Sequence, residues 1–181
     1  MTSEADGAAP GISQSLAESR ASRVRDLRCA LRLSIPPDRA RPVRGRVRLT
    51  FGLTTSTEPL LLDFAPGPPG SLLEARVNGA PTRLEQRHGH IVIPPERLRN
   101  DDNDVDLLFE SGDGPLNRRE DMAYTLFVPA RAHEAMPCFD QPGIRARWSV
   151  TVEIPEAWAV VSNGPETSRT AFVDDRGDHR A

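Results

Sequence analysis

The chain has 181 residues, 38% hydrophobic and 27% charged, with a formal net charge of −3. That length supports one globular domain with its own core, and the acidic balance argues against the basic footprint of a nucleic-acid binder. No stretch approaches the ~18 apolar residues of a membrane-spanning helix, and two cysteines, Cys29 and Cys138, are too few for a disulfide framework and read as buried thiols.

Residues 1–12, polar and rich in Gly and Ala, are expected to form a flexible tail, and 13–181 one domain. The start lacks the basic region and apolar run of a secretory signal, so a cytoplasmic location is expected. Ser13 to Arg25 has only Ile12, Leu16 and Val24 as large apolar anchors, enough for one or two helical turns. From there the period is two. Leu27, Cys29, Leu31, Leu33 and Ile35 share one face of a predicted strand, as do Val43, Val47, Leu49, Phe51 and Leu53. Leu60-Leu61-Leu62-Asp63-Phe64 is a short apolar run. Leu73, Ala75 and Val77 alternate before an Asn78-Gly79 turn, and His88-Gly89 joins a second hairpin. Pro95 to Leu98 is expected to make one helical turn. Val105, Leu107 and Phe109 alternate again, and Tyr124 to Val128 follows a polar loop. Ile144, Ala146, Trp148, Val150, Val152 and Ile154 form the clearest apolar face of all. Trp158 to Val161 and Ala171 to Val173 are further short strands. About nine closely spaced strands with little helix predict an all-β, antiparallel β-sandwich or saddle. The 17 prolines fit many short strands with stiff turns.

Four features invite a chemical reading. His88 and His90 have the H-x-H spacing that places two imidazoles on one face of a strand. No further ligand lies near in sequence, so a hairpin tip is the better reading. The acidic run 101–106 fails the EF-hand pattern, with Leu107 and Asp113 where Gly and Glu are needed from Asp102; it reads as a solvated loop entering the strand at Val105. Arg44, Arg46 and Arg48 make a basic stripe, either a contact for an anionic partner or, better, a solvated face or a guard on an edge strand. Cys138 and His133 are five apart with no evident orienting group, a poor basis for a thiol nucleophile. The stretch 136–143, MPCFDQPG, therefore reads as a structural corner. Pro137 and Pro142 fix its backbone, Asp140 caps its own turn, and Cys138 and Phe139 plug the core.

Residues 116–165 carry a more specific signal. Tyr124-Thr125-Leu126-Phe127-Val128-Pro129 fits Y-T-x-F-x-P, Pro137 to Pro142 fits P-C-F-D-E/Q-P, and 154–164 fits I/V-P-x-x-W-x-V-V/I-S-N-G. In this order the three closely resemble the N-terminal domain of the zinc aminopeptidases of the aminopeptidase N family. LLLDF at 60–64 and VNG at 77–79 fit loosely. The resemblance implies a β-saddle domain that precedes a thermolysin-like catalytic domain, where zinc and a general-base Glu would reside. It thus implies zinc in a parent enzyme, with no catalytic residue and no metal ligand in this chain. In the family a Gln and an acid of the Y-T-Q-F-E-like stretch line the substrate cleft. Their positions here hold Leu126 and Val128, whose side chains cannot hydrogen-bond and would form an apolar substrate-cleft wall.

The expected function is that of a non-catalytic N-terminal domain of a zinc metalloaminopeptidase, covering one side of the cleft in which peptides lose their N-terminal residues. Its expected partners are the catalytic domain and, in the parent enzyme, the peptide substrate; nucleic acid and membrane are not expected. The alternative is a stand-alone β-sandwich docking module, for which the arginine stripe would be the contact.

Overall fold

A computed structural model of the chain describes residues 11–119 and 121–181; most of the expected tail lies outside them. The polypeptide opens with helix α1 (Gln14–Arg23), capped by Ser13, whose hydroxyl accepts from the Leu16 amide at 3.2 Å. Of the apolar anchors expected from sequence, Val24 packs against the core, but two arginines go deeper. Ile12, Leu16 and Val24 are half-buried, whereas Arg20 and Arg23 are buried. The Arg23 guanidinium donates to the carbonyls of Pro59, Thr55 and Glu58 and so ties down the loop before the next sheet.

Strand β1 (Val24–Ser34) follows without a break and pairs with β2 (Val43–Leu53). Alternation works as expected: Leu27, Cys29, Leu31 and Leu33 are buried, as are Val43, Val47, Leu49, Phe51 and Leu53. β3 (Leu60–Asp63), β4 (Ser71–Val77), β5 (Ala80–Pro81), β6 (Glu85–Arg87), β7 (His90–Ile93) and β8 (Asp101–Ser111) complete the two main sheets. One sheet has the order β3-β7-β6; the other runs β4-β8-β2-β1, with β5 outside β4. Leu60, Leu62, Ile91 and Ile93 of the small sheet are fully buried, in one apolar cluster with the inner face of β1, β2 and β8. Asn78 and Gly79 have φ of 52° and 82°, as do His88 and Gly89, the left-handed pair that a two-residue hairpin needs. One glycine makes room rather than a turn. Gly45 lies opposite Phe109, and a Cβ on it would sit 2.3 Å from the ring; its bareness lets Phe109 meet Phe64 edge-on at 5.6 Å.

Four expectations need correction. The acidic run is not a loop: β8 starts at Asp101, and Asp104 and Asp106 hydrogen-bond Arg48 and Arg46 on the neighbouring strand. With Arg44–Glu110 they form a cross-strand ion-pair ladder. β2 is also interior, so the arginine stripe guards no edge. In β4 a bulge between Leu72 and Glu74 shifts the parity, packing Leu72 against the core and turning Leu73 out.

The fourth concerns the clearest strand. A ribbon of β9 (Leu116–Arg118) and β10 (Ala123–Thr125), a 3₁₀ turn at Ala132–Glu134 and the corner 136–143 carry the chain over to β11 (Arg147–Glu153). β11 pairs with β1 in parallel and ends the six-stranded sheet. Its crossover is long enough for a parallel pair, which a tight turn could not make. β11 is shorter than its apolar pattern, and Trp148 and Val150 are 44% and 55% exposed. The three-stranded sheet does not shield them. β12 (Phe172–Val173) and β13 (His179–Arg180) form a last small ribbon, and Trp158 to Val161 is irregular and exposed for most of its length.

Candidate functional site

The corner MPCFDQPG rests on a buried charge network. The Arg20 guanidinium grips Asp63 with two bonds, Nη1 to Oδ2 at 2.9 Å and Nη2 to Oδ1 at 2.7 Å, and both side chains are almost wholly buried. Asp63 also faces His90 Nδ1 at 2.9 Å and accepts from the Asp140 amide at 2.8 Å. Asp63 and Cys138 exchange both backbone bonds. Gln141 donates to the Ala17 carbonyl at 2.9 Å, and Arg20 lies 5.7 Å over the Phe139 ring. One carboxylate thus joins helix α1, β3, β7 and the corner. A two-pronged pair is the form in which a buried charge is tolerated, even though Arg20 Nε itself is buried with no hydrogen bond; loss of one partner from such a pair costs about 3–5 kcal/mol.

The loop that precedes the corner has anchors of its own. Phe127 turns inward and packs on the core, while its neighbours turn out. The Leu126 amide donates to Pro115 O at 3.0 Å and the Arg131 amide to Phe127 O at 2.9 Å, fixing both ends of a bend that contains a cis Val128–Pro129 bond. Arg131 grips Glu134 through two bonds and holds its carboxyl below the usual range. Leu126 and Val128 are 46% and 73% exposed. Met122 and Tyr124 are nearly half exposed too, so alternate residues from 122 to 128 present an apolar ridge. Sequence reasoning found the last two members and missed the first two. The alternation was visible, but which face would be the outer one was not.

The remaining candidates separate. His88 is exposed at the hairpin tip and His90 is buried on Asp63, so the two imidazoles share no face. Among the described residues no group of three or more His, Cys, Asp or Glu is placed to hold a metal ion, and no zinc-dependent step can be derived from them. His133 does have an orienting group: Asp140 Oδ2 lies 2.7 Å from its Nδ1 and accepts from its backbone amide at 3.1 Å. The nucleophile is what fails. Cys138 is buried, and desolvation, aided by Asp140 and Asp63, pushes its thiol well above the usual range. Burial pushes Cys29 up to about 12. Both thiols are free.

Comparison with known proteins agrees with the motifs. Residues 108–179 match the family model of the Peptidase M1 N-terminal domain. Aminopeptidase M1-A of Oryza sativa subsp. japonica and Aminopeptidase M1 of Arabidopsis thaliana are each 38% identical over 47 residues, 26% of this chain and 5% of theirs. The fold is similar to that of an M1 zinc metallopeptidase from Deinococcus radiodurans, with a TM-score of 0.67 at 20% identity over 87% of this chain and 38% of that one. It is also similar to leukotriene A4 hydrolase from Saccharomyces cerevisiae, with a TM-score of 0.60 at 18% identity over 93% and 30%. The family match is thus confined to residues 108–179, and the two solved structures share the fold. The chain spans well under half the length of each of these relatives.

Proposed function

We propose that the chain serves as the non-catalytic N-terminal domain of a zinc metalloaminopeptidase, standing beside a catalytic domain and covering one side of its peptide-binding cleft. The apolar ridge at Met122, Tyr124, Leu126 and Val128 carries this reading, because it is exposed while backbone bonds to β9, Pro115 and Arg131 hold its stretch of chain. In the parent enzyme, zinc would activate water and polarise the scissile carbonyl. This chain's part is shape. Leu126 and Val128 offer apolar contact and no hydrogen bond, so recognition of the substrate's amine would fall to the catalytic domain. No described helix is long and apolar enough to cross a membrane. Two free, buried thiols suit the reducing cytoplasm, which is the location we propose.

The test is the mass of the native polypeptide in its source cells, followed with peptides from residues 116–165. The reading expects a species several times larger than the 19.9 kDa of this chain. A species at 19.9 kDa would favour the stand-alone docking module instead.

A further inference from the structure

The sequence contains the pair Asn-Gly twice, at Asn78-Gly79 and at Asn163-Gly164. This pair carries a latent reaction. The backbone nitrogen that follows an asparagine can attack the carbon of the asparagine's own side-chain amide, and glycine puts no side chain in its way. Both groups belong to one chain, so closure needs no encounter, only the right rotation. Conformational freedom therefore decides whether the ring forms.

Asn78 has almost none. It sits in the hairpin turn with a φ of 52°. Its Nδ2 donates to the Arg97 carbonyl at 2.8 Å and to Asn103 Oδ1 at 3.1 Å, and its Oδ1 accepts from the Asp104 amide at 3.0 Å. Its own backbone amide donates to the Asp104 carbonyl at 2.7 Å. Swinging the side chain towards the Gly79 nitrogen breaks its three bonds and leaves their partners unsatisfied, which is costly. Asn163 has no such restraint. Residues 161–170 are all exposed and lie outside every helix and strand. Among the described residues nothing bonds the Asn163 side chain or the Gly164 amide. Gly164 stands in open space and does not hold a left-handed backbone.

We propose that Asn163 is a site of spontaneous covalent modification, converting to isoaspartate and aspartate, and that Asn78 is protected by its fold. The Gly164 backbone nitrogen gives up its proton to solvent base and bonds to Asn163 Cγ. The bond from Cγ to Nδ2 breaks, and the side-chain nitrogen leaves as ammonia. The succinimide so formed takes up one water. Opening at the backbone carbonyl leaves isoaspartate, in which the main chain runs through Cγ; opening at the side-chain carbonyl leaves aspartate. One water is consumed and one ammonia released. Either product sets a carboxylate on the exposed stretch before β12 and adds one negative charge to the chain's −3. This site is independent of the zinc-peptidase reading.

The test incubates the folded 181-residue chain in heavy-oxygen water and reads its peptides by mass spectrometry. We expect position 163 to take up heavy oxygen at least about tenfold faster than position 78, a barrier difference of about 1.4 kcal/mol. Both isoaspartate and aspartate should form, faster in alkaline than in acidic buffer. In guanidinium chloride, where no fold protects either pair, the two rates should converge. Gly164→Ala should slow conversion several-fold with the circular dichroism spectrum unchanged, because the added methyl group hinders ring closure but meets nothing in the fold. The proposal is overturned if Asn163 stays intact over the time in which the unfolded chain converts, or if Asn78 converts equally fast in the folded protein. An unchanged rate in Gly164→Ala would overturn it too, as would aspartate without isoaspartate, the mark of direct hydrolysis.

Discussion

Cys29 and Cys138 show how strongly one residue's surroundings can set its chemistry. Burial keeps both thiols protonated far above their ordinary range, Cys29 up to about 12, whereas in the unfolded chain they ionise near pH 8.5. Two outcomes follow. Iodoacetamide at pH 8 should leave the native protein unlabelled and modify both sites in urea, as read by mass. Stability should also depend on pH with a definite sign. Because the folded state retains protons that the unfolded state releases, the contribution is whole below about pH 8.5 and is lost as pH rises towards about 12. The urea midpoint should fall between pH 7.5 and 9.5, and most of that fall should vanish in a Cys29→Ala, Cys138→Ala double variant. An equal fall in the double variant would place the effect in other groups.

Among the elements, β2 was the most legible in sequence and β11 the least. β2 has neighbours on both sides, and its alternation passes directly into burial. Gly45 interrupts that alternation for a reason that only the partner strand reveals, since it accommodates the ring of Phe109. Gly45→Ala should therefore destabilise the fold by about 1–3 kcal/mol, the usual penalty for overfilling a packed core. Gly52→Ala should cost less. The atoms it would meet belong to the half-exposed side chain of Arg25, which can swing away. Urea unfolding of the two variants side by side checks this, and equal losses would contradict it. β11 had the strongest apolar pattern of the chain and yet is poorly buried. Periodicity reports which residues share a face, not whether another layer covers that face. The acidic run misled for a similar reason. Its carboxylates look like loop residues until the arginines of β2 are seen opposite them.

For the molecule as a whole, the division of labour follows from what the side chains are already doing. His90 faces Asp63, His133 faces Asp140, and the thiols are buried. Purified chain incubated with zinc and leucine p-nitroanilide should release no p-nitroaniline above a zinc-only control. Zinc-dependent release that survives repurification would refute the non-catalytic reading. The corner at 136–143 was legible as structure because of its prolines and its bend. Its counterpart in the fold, Arg20, was not legible, because an arginine on a short polar helix gives no sign that it will be buried opposite a carboxylate 43 positions later.

The Arg20–Asp63 pair also bears on where this polypeptide could be cut. Helix α1 looks dispensable, a short polar prelude to a β domain. A version trimmed to begin at Val24 would keep every strand and every apolar core residue. It would nonetheless leave the Asp63 carboxylate inside the protein without its guanidinium, where the chain crosses at Cys138 and Asp140. The minimal autonomous unit therefore begins before the first strand, and its boundary is set by charge rather than by the extent of the sheet.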